Sequence, residues 1–391
     1  VGGSTIDFLA AEPPERSGDI ELTALSVHGS VDRLREILRR FPKTRHAAVS
    51  DSAVFAREAD SLRAEFARVQ FYDGADGVLL MLTAALADGA ETVLTAVVGA
   101  AGIAATMLAL DLGLKIALAN KETMATAGPA IAARLSELRA AGRAPAILPV
   151  DSEHNAVFQV LHGLRADHLR RVILTASGGP FRDWPLSKIQ SARRDEVLNH
   201  PTWSMGPKIT VDSAGMINKG LELIEAHWLF SVDYDHLDVL VHKDSFVHGM
   251  IETTDGGYLL CASRPHMVFP IAHALLFPDP VPLSHDMATR PETWPALAFD
   301  RVTPERYPGF ALCRAAGRAG GTAPAVLNAA NEEAVALFLA DRLRFADIPR
   351  LIDEVLQALP VNSGAELEIF LEADRRAREL ARGFVDRFAS L

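Results

Sequence analysis

Residues 147–155 read ILPVDSEHN. An apolar strand that ends in charge would deliver Asp151 and Glu153 at its C-terminal end. Alternation along a strand places residues i and i+2 on one face. Two carboxylates held side by side repel unless a cation or a proton intervenes, and a divalent, oxygen-preferring ion such as Mg²⁺ or Mn²⁺ would resolve this. A helix N-cap would account for the same residues without a metal. The run VDSAGMINKGLELIEAHWLF (211–230) carries the next candidates. With a helix starting near Ser213, Asn218 and Glu222 stand at i and i+4, and Lys219 and Glu222 at i and i+3. Ser213, Asn218 and Lys219 could hold a phosphate together with backbone N–H groups. Glu222, one turn on, could join Asp151 and Glu153 at a metal. A Lys–Glu pair on an amphipathic helix is the plain alternative.

Three further segments have suggestive chemistry. TASGGPF (175–181) offers Ser177 and two glycines after a strand, a loop that can turn backbone donors toward a phosphate. It lacks the G-x-x-x-x-G-K-[ST] spacing of a P-loop. IALANKETM (116–124) puts Asn120, Lys121 and Glu122 at a strand end, where a nicotinamide ring or a substrate would lie in a dinucleotide-binding sheet. HPTWSMGPK (200–208) places His200, Trp203 and Met205 in a loop punctuated by Pro201, Gly206 and Pro207. Large apolar residues in such a loop suit a lid that excludes water.

The elements that must position these residues are legible from periodicity. IELTALSV (20–27), HAAVSD (46–51), TVLTAVVG (92–99) and LKIALAN (114–120) read as strands. VDRLREILRRF (31–41) reads as an amphipathic helix with Leu34, Ile37 and Leu38 on one face. Strand–helix alternation implies a parallel, doubly wound sheet. RVILTASGGPFR (171–182), LDVLVH (237–242) and GYLLCAS (257–263) are strands of a second α/β domain. Pro is dense from Pro278 to Pro308, which predicts an extended connection. Three helical runs follow, a C-terminal bundle. The expected organisation is α/β throughout. It comprises an N-terminal Rossmann-type dinucleotide-binding domain (1–141), a central α/β catalytic domain (142–285), a linker (286–319) and a C-terminal helical bundle (320–391).

Composition narrows the class. The chain has 391 residues, 49% of them hydrophobic and 23% charged, which excludes a wholly disordered chain. The formal charge of −11 argues against a general nucleic-acid binder but leaves room for a local phosphate pocket. The 2 cysteines, Cys261 and Cys313, exclude a disulfide framework and point to a reducing compartment, the cytoplasm. The uncharged run Val93–Leu110 contains Thr95, Gly99, Gly102 and Thr106. It reads as a strand, a glycine turn and a helix rather than a membrane span, so no membrane partner is expected.

In this order, ALANKE, LPVDSEHNA, TASGGPFR, HPTWSMG-K, VDS-xx-M-x-NKGLE-x-IEA, VH-x(5)-H-x-M and LNAANE-x-AV resemble the 1-deoxy-D-xylulose 5-phosphate reductoisomerase family. The likeness runs from about residue 92 to the C-terminus and is looser over 1–91. It implies an oxidoreductase that rearranges a ketose phosphate and reduces the resulting aldehyde with NADPH, using Mg²⁺ or Mn²⁺, in a homodimer. By position, Asp151, Glu153 and Glu222 match the metal ligands, and these with Lys121 match the catalytic set. Ser177, Ser213, Asn218 and Lys219 match the substrate-phosphate site. Ser152 and Lys121 match contacts to the substrate's hydroxyl and carbonyl end. His200, Trp203 and Met205 fall in a mobile lid, and His248 matches a histidine near the site. Gly2, His28, Gly29, Ser30, Asn120, Lys121, Glu122 and Gly206 fall where the cofactor is bound.

The chain also departs from the family pattern. VGGSTIDFL matches only the end of the G-x-T-G-x-I-G loop and the helix after it, and the start at Val1 suggests a fragment. The second turn reads VHGSVDR, which bears on NADPH over NADH. The family's H-P-Q-S is here His242-Lys243-Asp244-Ser245, and S-A-T-M-M-N is Ser213-Ala-Gly-Met-Ile-Asn218. Gly215 is expected to loosen the first turn of a helix. These departures motivate two alternatives: a related oxidoreductase acting on another sugar phosphate, and a non-catalytic paralogue that keeps the fold.

Overall fold

The computed structural model describes residues 1–11, 20–97, 99–143, 145–203, 205–279 and 289–387. Ser204 of the expected lid, Val98 of an expected strand and 280–288 of the Pro-dense stretch lie outside the described residues.

Strand and helix alternate over the first 150 residues: α1 (Gly2–Ala11), β1 (Ala24–Val27), α2 (Val31–Arg40), β2 (His46–Val49), α3 (Ser52–Glu65), β3 (Gln70–Asp73), α4 (Gly74–Ala87), β4 (Thr92–Thr95), α5 (Ile103–Leu112), β5 (Lys115–Leu118), α6 (Lys121–Ala140) and β6 (Ile147–Pro149). All strand pairs here are parallel. They form two three-stranded sheets, β1-β2-β3 and β4-β5-β6, and no described strand joins them. Parallel strands need helical crossovers, which cover both faces; β2 (HAAV) is accordingly buried at every position. On α2, Val31, Leu34, Ile37 and Leu38 are buried, the expected stripe. β3 has no sequence signal because it is an edge strand with polar ends, Gln70 and Asp73. The uncharged run from Val93 resolves into β4, a turn of 3₁₀ helix (Gly99–Gly102) and α5. No described helix is long and apolar enough to cross a membrane.

The next stretch runs α7 (Ser152–Leu161), β7 (Leu169–Ala176), the short α8 (Leu186–Ile189) and α9 (Arg194–Val197), α10 (Pro207–Ala214), α11 (Ile217–Phe230), β8 (Leu237–Val241), β9 (Val247–Thr253), β10 (Tyr258–Ala262) and α12 (Val268–Leu276). With β11 (Asp300–Arg301), these strands build a mixed sheet of order β10-β9-β7-β8-β11. β9 was not expected from the sequence, yet it is buried from Val247 to Glu252. Its Gly249 lets α7 lie close, since a Cβ there would stand 2.9 Å from Val157 and 3.0 Å from the Glu153 carbonyl.

Four helices follow: α13 (Pro308–Ala319), α14 (Ala323–Leu339), α15 (Ile348–Ala358) and α16 (Leu367–Phe384). On α15, Ile348, Leu351, Ile352 and Val355 are buried at helical spacing. The expectation of a bare linker over 286–319 needs correcting, because the stretch contains β11 and α13. Pro308 opens α13 at its first turn, where a missing N–H costs nothing, so proline density there marks a helix start.

The chain divides into two compact units. The first comprises Val1–Ala119, Arg134–Val150 and Met267–Leu283, and the second Asn120–Ala133, Asp151–His266 and Ser284–Leu391. Residues of α12 thus pack with the N-terminal strands, where Lys115 Nζ donates to the Leu275 carbonyl at 2.7 Å and satisfies the helix end. Helix α6 passes from one unit to the other, and its backbone leaves helical geometry at Ala127 (φ −120°, ψ 20°), two residues before Pro129.

Candidate active site

Three carboxylates and two ammonium groups meet within the second unit. Asp151 and Glu153 do not share a strand face, as the alternation rule predicts. Strand β6 ends at Pro149, so Asp151 takes the N-cap position of α7 and Glu153 lies in its first turn. The chain reverses from extended to helical between them, and the first helical turn brings the two carboxylates to one side. Asp151 makes no capping hydrogen bond. Its Oδ2 instead stands 2.5 Å from Lys121 Nζ, at the start of α6. Glu222, buried on α11, accepts from Lys121 Nζ at 2.8 Å and from Asn218 Nδ2 at 2.6 Å through Oε1. Its Oε2 accepts from Lys219 Nζ at 2.5 Å. Lys219 Nζ also stands 2.8 Å from Glu153 Oε1, and the Ser152 hydroxyl donates to Glu153 Oε2. Asn218 Oδ1 accepts from Lys121 at 2.9 Å. The i,i+3 and i,i+4 spacing of Asn218, Lys219 and Glu222 is therefore realised.

The helix start is not where the sequence placed it. Ser213 lies in the last turn of α10, and α11 begins at Ile217 after a break in which Met216 is left-handed (φ 58°). Gly215 is the C-cap of α10, a position where its poor helix propensity costs nothing.

One oxygen from each of Asp151, Glu153 and Glu222 lies within 4.8 Å of the other two. An all-carboxylate set suits a hard divalent cation rather than a soft metal. Asp151 fits such a role because its side chain does not serve its helix. Burial opposes the charge on Asp151, but Lys121, His154 and Lys219 outweigh it and hold the carboxyl well below its usual range. Burial, partly countered by Lys219 and reinforced by Glu222 and Asp151, pushes the Glu153 carboxyl up to about 7. A metal needs the deprotonated form, so the apparent Mg²⁺ affinity is expected to fall by up to about tenfold per pH unit below 7 and to level off above it. Isothermal titration with Mg²⁺ from pH 5.5 to 8.5 (roughly the span either side of that value) reads this directly. A flat profile would contradict a proton on the ligand set.

A second layer lies behind Glu222. His154 is fully buried, and its Nε2 donates to the Glu222 carbonyl at 2.8 Å. Its Nδ1 faces Glu225 Oε2 at 3.4 Å, and Glu225 is also fully buried. Burial and the neighbouring Asp151 charge push the Glu225 carboxyl well above its usual range. Sequence reading passed over this pair. The available signal was the i+3 spacing of Glu222 and Glu225 within GLELIEA.

The glycine loop after β7 forms the other part of the site. Ser177 Oγ lies 3.1 Å from His200 Nε2, and the Gly179 N–H donates to the same oxygen at 3.2 Å. His200 Nδ1 accepts from the Thr202 and Trp203 N–H groups at 3.2 and 2.9 Å, so its hydrogen is on Nε2. Burial and the nearby Arg182 charge lower its pKa to about 4, which keeps it neutral. Ser177 Oγ thus receives two donors and keeps its own hydrogen for a third partner, which an anion would supply. Gly179 (φ 67°) lies against Ser213, since a Cβ there would stand 2.6 Å from the Ser213 carbonyl oxygen. Ser177 and His200 therefore meet, and the Ser213 backbone lies against the same loop at Gly179, while Asn218 and Lys219 turn to the carboxylates. Trp203 and Met205 are half-buried, and Gly206 is the exposed N-cap of α10. His248, on β9, bonds through Nε2 to Ser263 Oγ at 3.0 Å.

The remaining candidates are dispersed. Asn120 caps α6 by accepting from the Thr123 N–H at 2.9 Å. Glu122 pairs with Lys208 at 3.0 Å, and Lys208 also pairs with Asp212 at 2.8 Å. Gly2, His28, Gly29 and Ser30 belong to the first unit. Gly2 opens α1, and His28–Ser30 form the exposed turn between β1 and α2, where His28 Nδ1 lies 3.0 Å from Ser50 Oγ.

Comparison with known proteins decides the family. Family models described as 1-deoxy-D-xylulose 5-phosphate reductoisomerase match residues 1–128, the C-terminal domain of that enzyme 147–230, and a further DXP reductoisomerase C-terminal domain 262–380. A 1-deoxy-D-xylulose 5-phosphate reductoisomerase of Leptospira interrogans is 42% identical over 388 residues, covering 99% of this chain and 95% of the relative. The chain belongs to the 1-deoxy-D-xylulose 5-phosphate reductoisomerase family. The family member of Gloeobacter violaceus is also 42% identical, over 99% of this chain and 95% of its own length. The reductoisomerase of Zymomonas mobilis, solved in complex with NADPH, is 33% identical and matches with a TM-score of 0.84 over 98% of this chain and 96% of that one. A DOX-P reductoisomerase in complex with NADPH, fosmidomycin and magnesium matches with a TM-score of 0.86 at 31% identity, over 99% and 96% of the two chains. The Rossmann-type N-terminal part and the helical C-terminal part are those of the family. Neither alternative activity finds support in these relatives.

Proposed function

We infer that this chain converts 1-deoxy-D-xylulose 5-phosphate to 2-C-methyl-D-erythritol 4-phosphate, with NADPH as reductant and Mg²⁺ or Mn²⁺ as cofactor, in non-mevalonate isoprenoid synthesis. The observation that carries the residue assignment is the convergence of Asp151, Glu153 and Glu222 with two buried lysines. These three carboxylates would hold the divalent ion, which when bound supplies Lewis-acid stabilisation of charge on the substrate's vicinal oxygens. Lys121 and Lys219 keep the carboxylates compensated and ordered in its absence, and both ammoniums are buried where they can turn to an anionic substrate.

Ser177 and Ser213 are assigned to the phosphate end, to which Asn218 and Lys219, paired with the carboxylates in this structure, would turn when the substrate is bound. The Ser177 hydroxyl is oriented in advance by His200 and Gly179, so the anchor costs little reorganisation on binding. Anchoring the non-reacting end holds the carbonyl end near Lys121 and Ser152. His200, Trp203 and Met205 act as a lid that excludes water from the reactive aldehyde. Within the first unit, the start of α1 at Gly2 and the turn His28–Ser30 are assigned to the cofactor phosphates. NADPH-dependent formation of the methylerythritol phosphate, followed by ³¹P and ¹³C NMR, tests this reading. A product other than that polyol phosphate would sink it.

The chain is further proposed to act as a cytoplasmic homodimer. The mixed sheet carries an open cavity of about 740 Å³ lined by Arg171, Met250, Tyr258, Leu260, Phe299 and Arg314. Tyr258 and Leu260, on the edge strand β10, are 53% and 38% exposed, a greater apolar exposure than a strand edge usually tolerates alone. Leu260→Arg is expected to shift the sedimentation coefficient from dimer to monomer. An unchanged dimer would place the interface elsewhere.

A further inference from the structure

Three side chains donate hydrogen bonds to carbonyls of the glycine loop 177–184. Tyr307, 2% exposed, donates its hydroxyl to the Gly178 carbonyl at 2.9 Å. Arg306 Nη1 donates to the carbonyls of Phe181 at 2.9 Å and Trp184 at 2.8 Å. Arg182 Nη1 donates to the carbonyls of Ser177 and Lys243, each at 2.9 Å. Four carbonyl oxygens in eight residues are thus engaged by side-chain donors. A carbonyl held by a donor is kept from turning its lone pairs to an anion, while the Ser177 hydroxyl keeps its own hydrogen for one. Gly178 and Gly179 are left-handed (φ 79° and 67°), a backbone conformation that glycine adopts without strain and that other residues rarely adopt. Burial pushes the Tyr307 phenol up to about 12, so it remains a proton donor. Arg306 and Tyr307 come from the Pro-dense stretch that neither the metal nor the substrate assignment uses.

We infer that Tyr307, with Arg306 beside it, is a positioning residue for the anion end of the substrate site, holding the 177–184 loop in its phosphate-accepting form. The inference rests on the assignment of Ser177 to the substrate phosphate. Tyr307→Phe removes one oxygen, keeps the ring and leaves the Gly178 carbonyl buried without its donor, at a penalty equivalent to about tenfold in binding.

The test compares Tyr307→Phe, Arg306→Lys and Ser177→Ala in the full chain with NADPH and Mg²⁺. It measures kcat, the KM for 1-deoxy-D-xylulose 5-phosphate, the inhibition constant of inorganic phosphate and the Kd of NADPH by fluorescence. Tyr307→Phe should raise KM and the phosphate inhibition constant together by about tenfold, with kcat and NADPH affinity nearly unchanged. Arg306→Lys carries the same expectation should Tyr307→Phe fail to fold. Unchanged KM and phosphate inhibition in both clamp variants, beside a raised KM in Ser177→Ala, would overturn the clamp alone. An equal loss of phosphate and NADPH affinity would reduce it to general destabilisation and overturn it too. If Ser177→Ala also changes neither constant, the phosphate assignment fails, and the clamp falls with it.

Discussion

Glu222→Gln is expected to lower kcat/KM by at least about a thousandfold while leaving the chain folded and NADPH binding intact. Both oxygens of Glu222 accept from cationic or amide donors: Oε1 from Lys121 and Asn218, and Oε2 from Lys219. A glutamine amide has one oxygen and one NH₂. In either orientation its NH₂ faces an N–H donor, so Lys121 or Lys219 loses one of its acceptors. The set of three anionic oxygens also drops to two, which weakens any divalent ion held there. The variant's kinetics across a Mg²⁺ titration, with circular dichroism and NADPH fluorescence as controls, measure this. A loss of less than about tenfold would remove Glu222 from the reacting centre.

Lys219→Met should produce the second largest effect, and it separates charge compensation from packing. Lys219 is buried, 2.8 Å from Glu153 and 2.5 Å from Glu222. Methionine fills similar volume without the charge. Removing one partner from a buried ion cluster leaves carboxylates uncompensated and costs roughly 3 kcal/mol. Without metal, the denaturation midpoint should fall well below the parent's. Saturating Mg²⁺ should recover most of the difference, because the ion replaces the lost positive charge. Substrate KM should remain at least about tenfold high even with metal, since the phosphate end has lost its cation. A deficit in stability that Mg²⁺ leaves untouched would contradict a metal between these carboxylates.

Much of this arrangement is legible in the sequence because short spacings were enough to define it. Asn218, Lys219 and Glu222 meet through one helical turn, so three letters and a period of 3.6 predict the contact. Asp151 and Glu153 also converge, but for a different reason from the one alternation offers: a strand gives way to a helix between them. Periodicity cannot locate such a boundary to within a residue. Strand β3 escaped because its ends are polar, and β9 because Gly249 and His248 interrupt its apolar pattern. His154–Glu225 was missed for a physical reason of another kind. The i+3 spacing of Glu222 and Glu225 marks a shared helix face, but a buried acid facing a histidine takes its meaning from burial that only the packed helices α7 and α11 create. The same holds for Tyr307, which acts 129 residues from the loop it holds.

We infer that the carboxylate cluster and the loop around Ser177 serve one metal-dependent reductive rearrangement. The most direct measurement follows nicotinamide absorbance after mixing the protein with NADPH and 1-deoxy-D-xylulose 5-phosphate, with Mg²⁺, with Mn²⁺ and with chelator. NADPH should be oxidised with either metal, oxidation should stop with chelator, and it should recover when metal is restored. Oxidation that continues unchanged in chelator, or a folded, metal-loaded protein that binds NADPH and substrate but oxidises none, would contradict that inference.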